Sequence, residues 1–401
     1  MKPSLKYLFF TFLKIGSTSW GGFMSLISVI QKQMGEKDKT IDQETIVEGI
    51  SLASVLPGPV AVNVVSFIGY RLRGIKGAIA SFAGILLPCF IFMLGLSYIY
   101  LRYGNIPAFT HFFQGVLPAV AAIIVSVGIS LWKKNVTDKT QTAIAIVAFI
   151  ATAFSKSYLT TLLLIACSGF TGWLVYRNAQ PEKTSNAKSD RLPVLRSTIV
   201  PLVILAVCAL AIFAIIQFTS PVTTDKLLLS KQILFTFSGI SLTQFGGGYV
   251  VIPSMQKIIV DGMHWLNTKE FTDAIAMGQI TPGPIFISAT FIGFKLQGLW
   301  GAILATLSIF IPASALMIFC SHFITYIRNS AVIKSIFKGL SPAVTGMIMA
   351  ASVTILRSTE STLLISLILF IASLFTVIRF KMNPVYLIPL AGIAGLIIFN
   401  F

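Results

Sequence analysis

The chain has 401 residues, of which 55% are hydrophobic and only 11% are charged, and its formal net charge is +17. A soluble globular protein carries roughly a quarter charged residues, so the composition excludes that class and indicates a protein that crosses a membrane several times. In a soluble protein this basic excess would suggest nucleic-acid binding. In a membrane protein it is explained by the Lys and Arg that gather in the cytoplasmic loops, so no nucleic-acid partner is predicted. The same excess favours an anionic substrate.

Apolar segments predict an all-α polytopic membrane protein with about thirteen transmembrane helices. Six lie in the first half, at about 7–30, 46–69, 77–101, 112–131, 139–154 and 157–176. Residues 177–197 are polar and predict a cytoplasmic linker, followed by one connecting helix at about 198–218. Six more lie at about 232–258, 271–294, 299–325, 335–356, 361–379 and 384–401. The predicted units are a first repeat (1–176), the linker, the connecting helix and a second repeat (226–401).

The two halves are an internal repeat. Trp20-Gly21-Gly22 matches Phe245-Gly246-Gly247, and Pro57-Gly58-Pro59 matches Pro282-Gly283-Pro284 at the same offset of 225 residues. Glycines and prolines shared in one order at nearly one spacing indicate duplication. Six spans and one connecting helix make an odd number of crossings before the second half begins. The sequence therefore predicts inverted repeats whose spans are interrupted at the Pro-Gly-Pro segments.

The positive charges predict the orientation. In the thirteen-span arrangement, 20 of the 30 Lys and Arg residues lie on the side of the N-terminus and nine lie opposite, with Lys14 inside the first span. This distribution predicts a cytoplasmic N-terminus and an external C-terminus. If both Pro-Gly-Pro segments re-enter without crossing, the best division is 18 against 11. Whether they cross or re-enter stays open at this point.

Each Pro-Gly-Pro segment predicts a helix end inside the membrane, since two prolines around a glycine stop one helix and start another. The new helix begins with backbone N–H groups that have no intrahelical acceptor and with the positive end of its dipole, which together suit an anion. The expected donors are Val60, Ala61 and Val62 after Pro59, and Ile285, Phe286 and Ile287 after Pro284. Gly58 and Gly283 are expected to let the ligand approach. The alternative is a kink that only helps helices pack.

Further polar and glycine residues near the breaks are candidates for the same substrate site. The side-chain candidates are Asn63, Ser66, Gln279, Thr281, Ser288 and Thr290, and the backbone candidates are Gly21, Gly22, Gly246 and Gly247. Close helix packing is the alternative role for these glycines.

Charged side chains complete the set of candidates. Lys14 stands alone in an apolar segment, where a charge is costly and usually functional. Arg71 and Lys295 hold matching positions, with snorkelling to the membrane boundary as the alternative role. Glu48 and Asp273 also match, and they are interpreted as helix caps, partners of a basic residue or carriers of a coupling proton.

No catalytic or cofactor site is predicted. The four cysteines (Cys89, Cys167, Cys208 and Cys320) and three histidines (His111, His264 and His322) are scattered and form no metal-ligand pattern. An enzyme would need a nucleophile with a base, or a metal cluster, within the spans. The chain has no phosphate-binding loop for ATP, so the sequence predicts a secondary transporter without a metal or cofactor.

The duplicated motifs resemble the chromate ion transporter family in its long form with two homologous halves. They are Phe12–Gly22 and Leu56–Gly74 with their second-half partners, above all Phe245–Pro253 and Gly278–Pro284. The resemblance implies export of chromate across the cytoplasmic membrane and chromate resistance, with a sulfate or other inorganic anion permease as the alternative. The implied partners are the oxyanion and the lipid bilayer, and a homodimer is compatible with the sequence. Ser54-Val55-Leu56 differs from Gln279-Ile280-Thr281, so the halves are not chemically equivalent.

Overall fold

The structure is a computed structural model that describes residues 3–19, 23–104, 106–155, 157–177, 225–245, 248–322, 331–357 and 363–399. The connecting helix at 198–218 and the linker beyond Arg177 lie outside these ranges. Within them every regular element is a helix, which confirms the all-α class. Five described helices are long and apolar enough to cross a membrane: Val60–Tyr103, Pro107–Asn135, Leu159–Tyr176, Ile285–Ser321 and Val332–Leu356. The predicted number of thirteen spans is not confirmed.

The helices follow the repeat. The first half contains α1 (Leu5–Thr18), α2 (Phe23–Ile30), α3 (Gln43–Val55), α4 (Val60–Tyr103), α5 (Pro107–Asn135), α6 (Lys139–Phe154) and α7 (Tyr158–Tyr176). The second half contains α8 (Lys226–Thr243), α9 (Val251–Gln256), α10 (Thr268–Ile280), α11 (Ser288–Ser321), α12 (Ala331–Arg357), α13 (Leu363–Phe380) and α14 (Pro384–Ile398). Wider π-helical turns extend α2 over Gln31–Lys37 and α9 over Lys257–Gly262.

Capping residues set the start of the helix before each Pro-Gly-Pro break. The Asp42 side chain accepts a hydrogen bond from the Thr45 N–H at the start of α3, and Asn267 forms a reciprocal capping box with Glu270 at the start of α10. The hydrogen bonds from Thr45 hold the pKa of Asp42 below its usual value, so this cap is ionised and complements the helix dipole. Each helix runs from its cap to the residues just before its Pro-Gly-Pro break, so both are 13 residues long.

Each Pro-Gly-Pro break is the tip of a helical hairpin. In the first half Glu48 on α3 and Arg71 on α4 form an ion pair of 2.6 Å, and in the second Glu270 on α10 and Lys295 on α11 form one of 2.5 Å. Each pair joins positions at similar distances before and after its break, so the two arms are antiparallel. The prediction of single spans at 46–69 and 271–294 is therefore wrong. A 13-residue arm is about 20 Å long, short of the roughly 30 Å of bilayer hydrocarbon.

A second reversal follows each hairpin. Within α4 the helical geometry fails at Arg73 and Gly74, and within α11 it fails at Gln297 and Gly298. The glycines have φ values of +61° and +60°, which a side chain would strain. Beyond the turn the chain returns so closely that a Cβ on Gly69 would lie 2.4 Å from the Gly77 carbonyl oxygen. Each long helix thus consists of a short arm, which belongs to the hairpin, and a long arm.

The segments around the glycine runs fold in the same way. The Tyr7 hydroxyl on α1 donates to the Asp38 carboxylate beyond α2, and Phe237 on α8 packs near Trp265 at 6.3 Å between ring centroids. The predicted spans at 7–30 and 232–258 are therefore also wrong as single helices, because each is two antiparallel segments. Gly21, Gly22, Gly246 and Gly247, between these segments, lie outside the described residues.

The two halves interlock instead of lying side by side. α12 of the second half packs against α5, α6 and α7 of the first, and α13 and α14 pack against α5. Hydrogen bonds join the hairpins to the other half at their bases and at the first tip: Tyr70 Oη lies 3.1 Å from His322 Nε2, the Tyr100 hydroxyl donates to Asp273 Oδ2 at 2.6 Å, and the Gly58 N–H donates to the Gln244 carbonyl oxygen at 2.7 Å. The hairpin tips therefore lie in an interior that both halves form.

Candidate functional site

The first break is held against the second half. Gly58 has a φ of +97°, and its N–H donates to the Gln244 carbonyl oxygen at 2.7 Å. A Cβ on Gly58 would lie 2.2 Å from the Ala313 Cβ. Gly58 was predicted to give a ligand room, but its missing side chain accommodates Ala313. The structure therefore gives this glycine a packing role against the other half, and its role towards a ligand stays a prediction.

The second break is less tightly enclosed. Gly283 has a φ of +119°, and a Cβ there would lie 3.1 Å from the Cys89 Cβ of the first half. A short 3₁₀ turn, Ile285–Ile287, precedes α11, and the Ile287 N–H donates to the Pro284 carbonyl oxygen at 3.0 Å. Ile287 is therefore not the free donor that was predicted. The N–H groups of Ile285 and Phe286 come before this first bond and have no acceptor within the turn.

At the first break the predicted donors remain available. The first intrahelical bond of α4 runs from the Asn63 N–H to the Pro59 carbonyl oxygen at 3.0 Å. The N–H groups of Val60, Ala61 and Val62 precede that bond, and all three residues are buried. Hydrocarbon cannot satisfy such groups, so they call for a protein, water or ligand acceptor.

One segment connects the two breaks. Gly58 binds Gln244, while a Cβ on Gly248 would contact Ile285 Cδ1 at 3.8 Å. The first Pro-Gly-Pro break therefore lies against Gln244 and the second lies against Gly248. We refer to the residues of the two breaks, residues 241–245 and Gly248 as the break cluster.

Three buried side-chain atoms beside the glycine runs have no hydrogen-bond partner among the described residues: Ser19 Oγ, Ser241 Oγ and Gln244 Oε1. A buried polar atom without a partner costs free energy and indicates a bound water, ion or ligand. The sequence analysis missed these residues. Their signal was that Ser19 and Gln244 hold matching positions, each next to the aromatic residue that precedes Gly-Gly.

The predicted polar side chains mostly have protein partners. Asn63 Nδ2 donates to the Pro57 carbonyl oxygen at 3.1 Å and so braces the first break. Thr290 shares a 2.7 Å hydrogen bond with Thr306, and Thr281 and Ser288 bind carbonyl oxygens one turn back. Gln279 is an exception, because its buried Nε2 has no partner among the described residues. Ser66 Oγ is buried, has no partner in the part of the chain that the structure describes, and lines an apolar groove of about 500 Å³ between the long arms of α4 and α11.

The predicted basic residues separate into two groups. Arg71 and Lys295 are paired with acids at the bases of the hairpins, about 18 Å along a helix from the breaks, so the structure does not bring them into the break cluster. Lys14 is exposed on α1, five residues before Ser19. Lys14 is therefore the predicted cation that lies nearest a glycine run along the chain.

The break cluster has the chemistry of an anion site. Its available groups are backbone N–H donors at two helix starts, the Ser241 hydroxyl and the Gln244 amide, which can present nitrogen or oxygen by turning over. Both helix starts direct a positive dipole end towards the cluster. No group of three or more His, Cys, Asp or Glu that could hold a metal occurs in the described ranges.

Comparison with known proteins gives consistent matches. A family model described as "Chromate transporter" matches residues 6–173 and 231–396. The chain is 29% identical over 401 residues to a probable chromate transport protein of Synechococcus elongatus, covering 99% of this chain and 96% of that protein. It is 29% identical to a chromate transport protein of Cupriavidus metallidurans, covering 88% and 83%, and 28% identical to an uncharacterized transporter of Methanocaldococcus jannaschii, covering 99% and 95%. No solved structure matches.

Proposed function

The chain belongs to the chromate transporter family, and we propose that it is a secondary transporter that exports chromate across the cytoplasmic membrane and confers chromate resistance. The break cluster is the observation that carries this proposal, since helix starts from both halves lie beside Gln244 and Gly248, where Ser241 Oγ and Gln244 Oε1 have no partner among the described residues. A tetrahedral dianion has no protons to donate and needs several donors at close range. Sulfate has the same shape and charge, so an anion permease or exchanger is the competing activity to be measured.

We propose further that the halves are inverted repeats with re-entrant hairpins. Tyr70 lies four residues before the turn at Gly74, whereas its partner His322 lies about 36 Å of helix beyond the turn at Gly298. Tyr100 lies a similar length beyond Gly74, whereas its partner Asp273 lies near the base of the second hairpin. Both contacts require the two long arms to run in opposite directions. Such repeats place half-helix ends at the membrane midplane.

The charge distribution supports this arrangement. With both hairpins of each half re-entrant, only eight of the 30 Lys and Arg residues lie on the face opposite the N-terminus, and 21 lie on its own face, with Lys14 within a hairpin arm. The eight are Arg102, Lys156, Lys226, Lys231, Lys257, Lys269, Lys295 and Arg357. This division is sharper than the 20 against nine of thirteen crossing spans. By the positive-inside rule, the N-terminus is cytoplasmic and the C-terminus is external.

Labelling of single cysteines tests this topology. On a background without native cysteines, probes at Lys37, Lys76 and Lys134 are expected to react from the cytoplasm, and a probe at Phe401 from outside. Lys37 is the informative position, because a crossing first span would place it opposite Lys76. Labelling of Lys37 from outside would contradict re-entrant hairpins.

Chromate and sulfate uptake into inside-out vesicles tests the function, since export from the cell becomes uptake there. Vesicles with the protein are expected to take up chromate faster than vesicles without it, and excess sulfate should compete. Equal uptake in both vesicle types would contradict transport. Sulfate uptake that chromate does not inhibit would assign the chain to the permease alternative.

The charge of Lys14 is expected to support this uptake. A lysine exposed at this depth of a hairpin arm is costly against lipid, so we expect it to face water on the route of the anion to the break cluster. Lys14→Met should lower chromate uptake about tenfold, while Lys14→Arg should keep most of it. Lys6→Met is the matched control, because Lys6 is exposed on the same face two turns nearer the base. Normal uptake by Lys14→Met would show that the charge is dispensable.

A further inference from the structure

Asp273 is a buried carboxyl group that forms no ion pair with any of the described residues. It lies on α10 with 1% of its surface exposed. Its Oδ2 accepts the Tyr100 hydroxyl at 2.6 Å, and its Oδ1 has no partner among the described residues. The break cluster does not use this residue. Burying an ionised carboxylate that is only half satisfied is costly, and the neutral acid avoids that cost.

The surroundings supply little compensation. On α10 the nearest charges are Lys269 and Glu270, and Glu270 is held by Lys295 of α11. α4 contributes the Tyr100 hydroxyl. α5 carries only His111 near this end, and Val251–Gln256 of α9 and the Ile285–Ile287 turn carry no ionisable side chain. The π-helical extension of α9 carries Asp261 and the buried Lys257, whose ammonium donates to Thr161 of α7 at 3.5 Å. α14 carries only Tyr386, in its first turn. The carboxyl therefore faces a phenol and apolar neighbours rather than a base.

The repeat provides an internal comparison. Glu48 holds the matching position in the first half, but it is partly exposed and forms an ion pair of 2.6 Å with Arg71. In the second half the basic partner keeps its matching position at Lys295, and the acid that pairs with it lies one helical turn earlier, at Glu270. The hairpin thus has its structural ion pair without Asp273, so ion pairing does not explain an acid at this position.

The position of Tyr100 connects Asp273 to the whole second hairpin. Its ring packs edge-on against Phe291 of the short arm of α11 at 5.3 Å and against Phe113 of α5 at 5.8 Å. Tyr100 therefore holds both arms of the hairpin, through Asp273 on one arm and Phe291 on the other. Any change at the carboxyl acts on the element that carries the second break.

We propose that Asp273 is a proton-binding site that couples proton movement to the position of the second hairpin. The coupling rests on the proposed transport function, whereas the binding of a proton by Asp273 does not. Oδ1 binds one proton from the aqueous face near Lys269, and the neutral acid stays in the Tyr100 pocket. When that proton returns to water, the carboxylate carries an unpaired charge, and the base of α10 moves away from Tyr100 towards solvent.

Infrared difference spectroscopy of the purified, intact protein tests the proton site without transport. Raising the pH from about 5 to about 8 should remove the carbonyl band of a protonated carboxylic acid, a range in which ordinary aspartates, with pKa about 3.9, stay ionised. Asp273→Asn should lack this change, and the matched variant Glu48→Gln should keep it. An unchanged band in Asp273→Asn would overturn the proposal. Tyr100→Phe keeps the Asp273 carboxyl but removes the hydroxyl that donates to it. In this variant the carbonyl band should still disappear as the pH rises, but at a different pH than in the wild type.

Chromate flux tests the coupling. Wild-type uptake should change about tenfold over the same pH range, whereas uptake by Asp273→Asn should change less than about twofold. Equal pH dependence in both would overturn the coupling. If the band depends on Asp273 but no anion is transported, the transport function fails and the proton site stands. If chromate is transported but Asp273→Asn leaves the band unchanged, the proton site fails and the function stands.

Discussion

Gly58→Ala is expected to abolish chromate uptake and to destabilise the protein, and a second substitution, Ala313→Gly, should recover part of the loss. The new Cβ would lie 2.2 Å from the Ala313 Cβ, so one of the two halves must move. Such overpacking costs about 1–3 kcal/mol, and the left-handed φ of +97° adds about 1–2 kcal/mol. Removing the Ala313 methyl group relieves the first cost and leaves the second.

Thermal unfolding and uptake per folded molecule measure the two effects. The order of stability should be wild type, then Gly58→Ala with Ala313→Gly, then Gly58→Ala alone. Gly283→Ala is the matched comparison, and it should cost less than Gly58→Ala because its Cβ would meet Cys89 at 3.1 Å instead of 2.2 Å. If Ala313→Gly recovers neither stability nor uptake, the contact between the first break and α11 is not the cause of the loss in Gly58→Ala.

The sequence predicted the breaks but not the hairpins. Proline and glycine act locally, so Pro57-Gly58-Pro59 and its copy could be recognised as helix ends without a structure. Hydropathy averages over both arms, and two apolar arms around a short break resemble one kinked span. The caps at Asp42 and Asn267 limit each first arm to 13 residues, and the ion pairs at the bases show its direction. Those are contacts between distant residues, which periodicity does not report.

The candidate site was predicted in part for the same reason. The donors after Pro59, and two of the three after Pro284, follow from the local sequence, and the structure leaves them without intrahelical acceptors. Gln244 and Ser241 reach the first break only because the two halves interlock, which no single stretch of sequence encodes. Arg71 and Lys295 matched each other in the repeat, but the match reflects a shared ion-pair position at the hairpin base. Repeat symmetry thus identifies shared architecture more readily than shared ligands.

Gly283→Cys is expected to form a disulfide with the native Cys89 and to stop transport until the bond is reduced. The built Cβ at residue 283 lies 3.1 Å from the Cys89 Cβ, a few tenths of an ångström short of the usual separation of about 3.5–4.5 Å in a disulfide. The bond would tie the second break to α4 of the other half. If the donors of Ile285 and Phe286 must shift to bind and release a dianion, the tied break cannot complete a transport cycle.

Oxidation with copper–phenanthroline, which enters membranes, should lower chromate uptake by Gly283→Cys about tenfold or more, and dithiothreitol should restore it. The matched control is Gly283→Cys combined with Cys89→Ala, which carries the same strained residue at a φ of +119° but cannot form the bond. Uptake by this control should not respond to oxidation. A cross-linked protein that transports as fast as its reduced form would show that the second break stays fixed on α4 throughout the cycle. The movement would then belong to the first hairpin, whose tip is bound to Gln244.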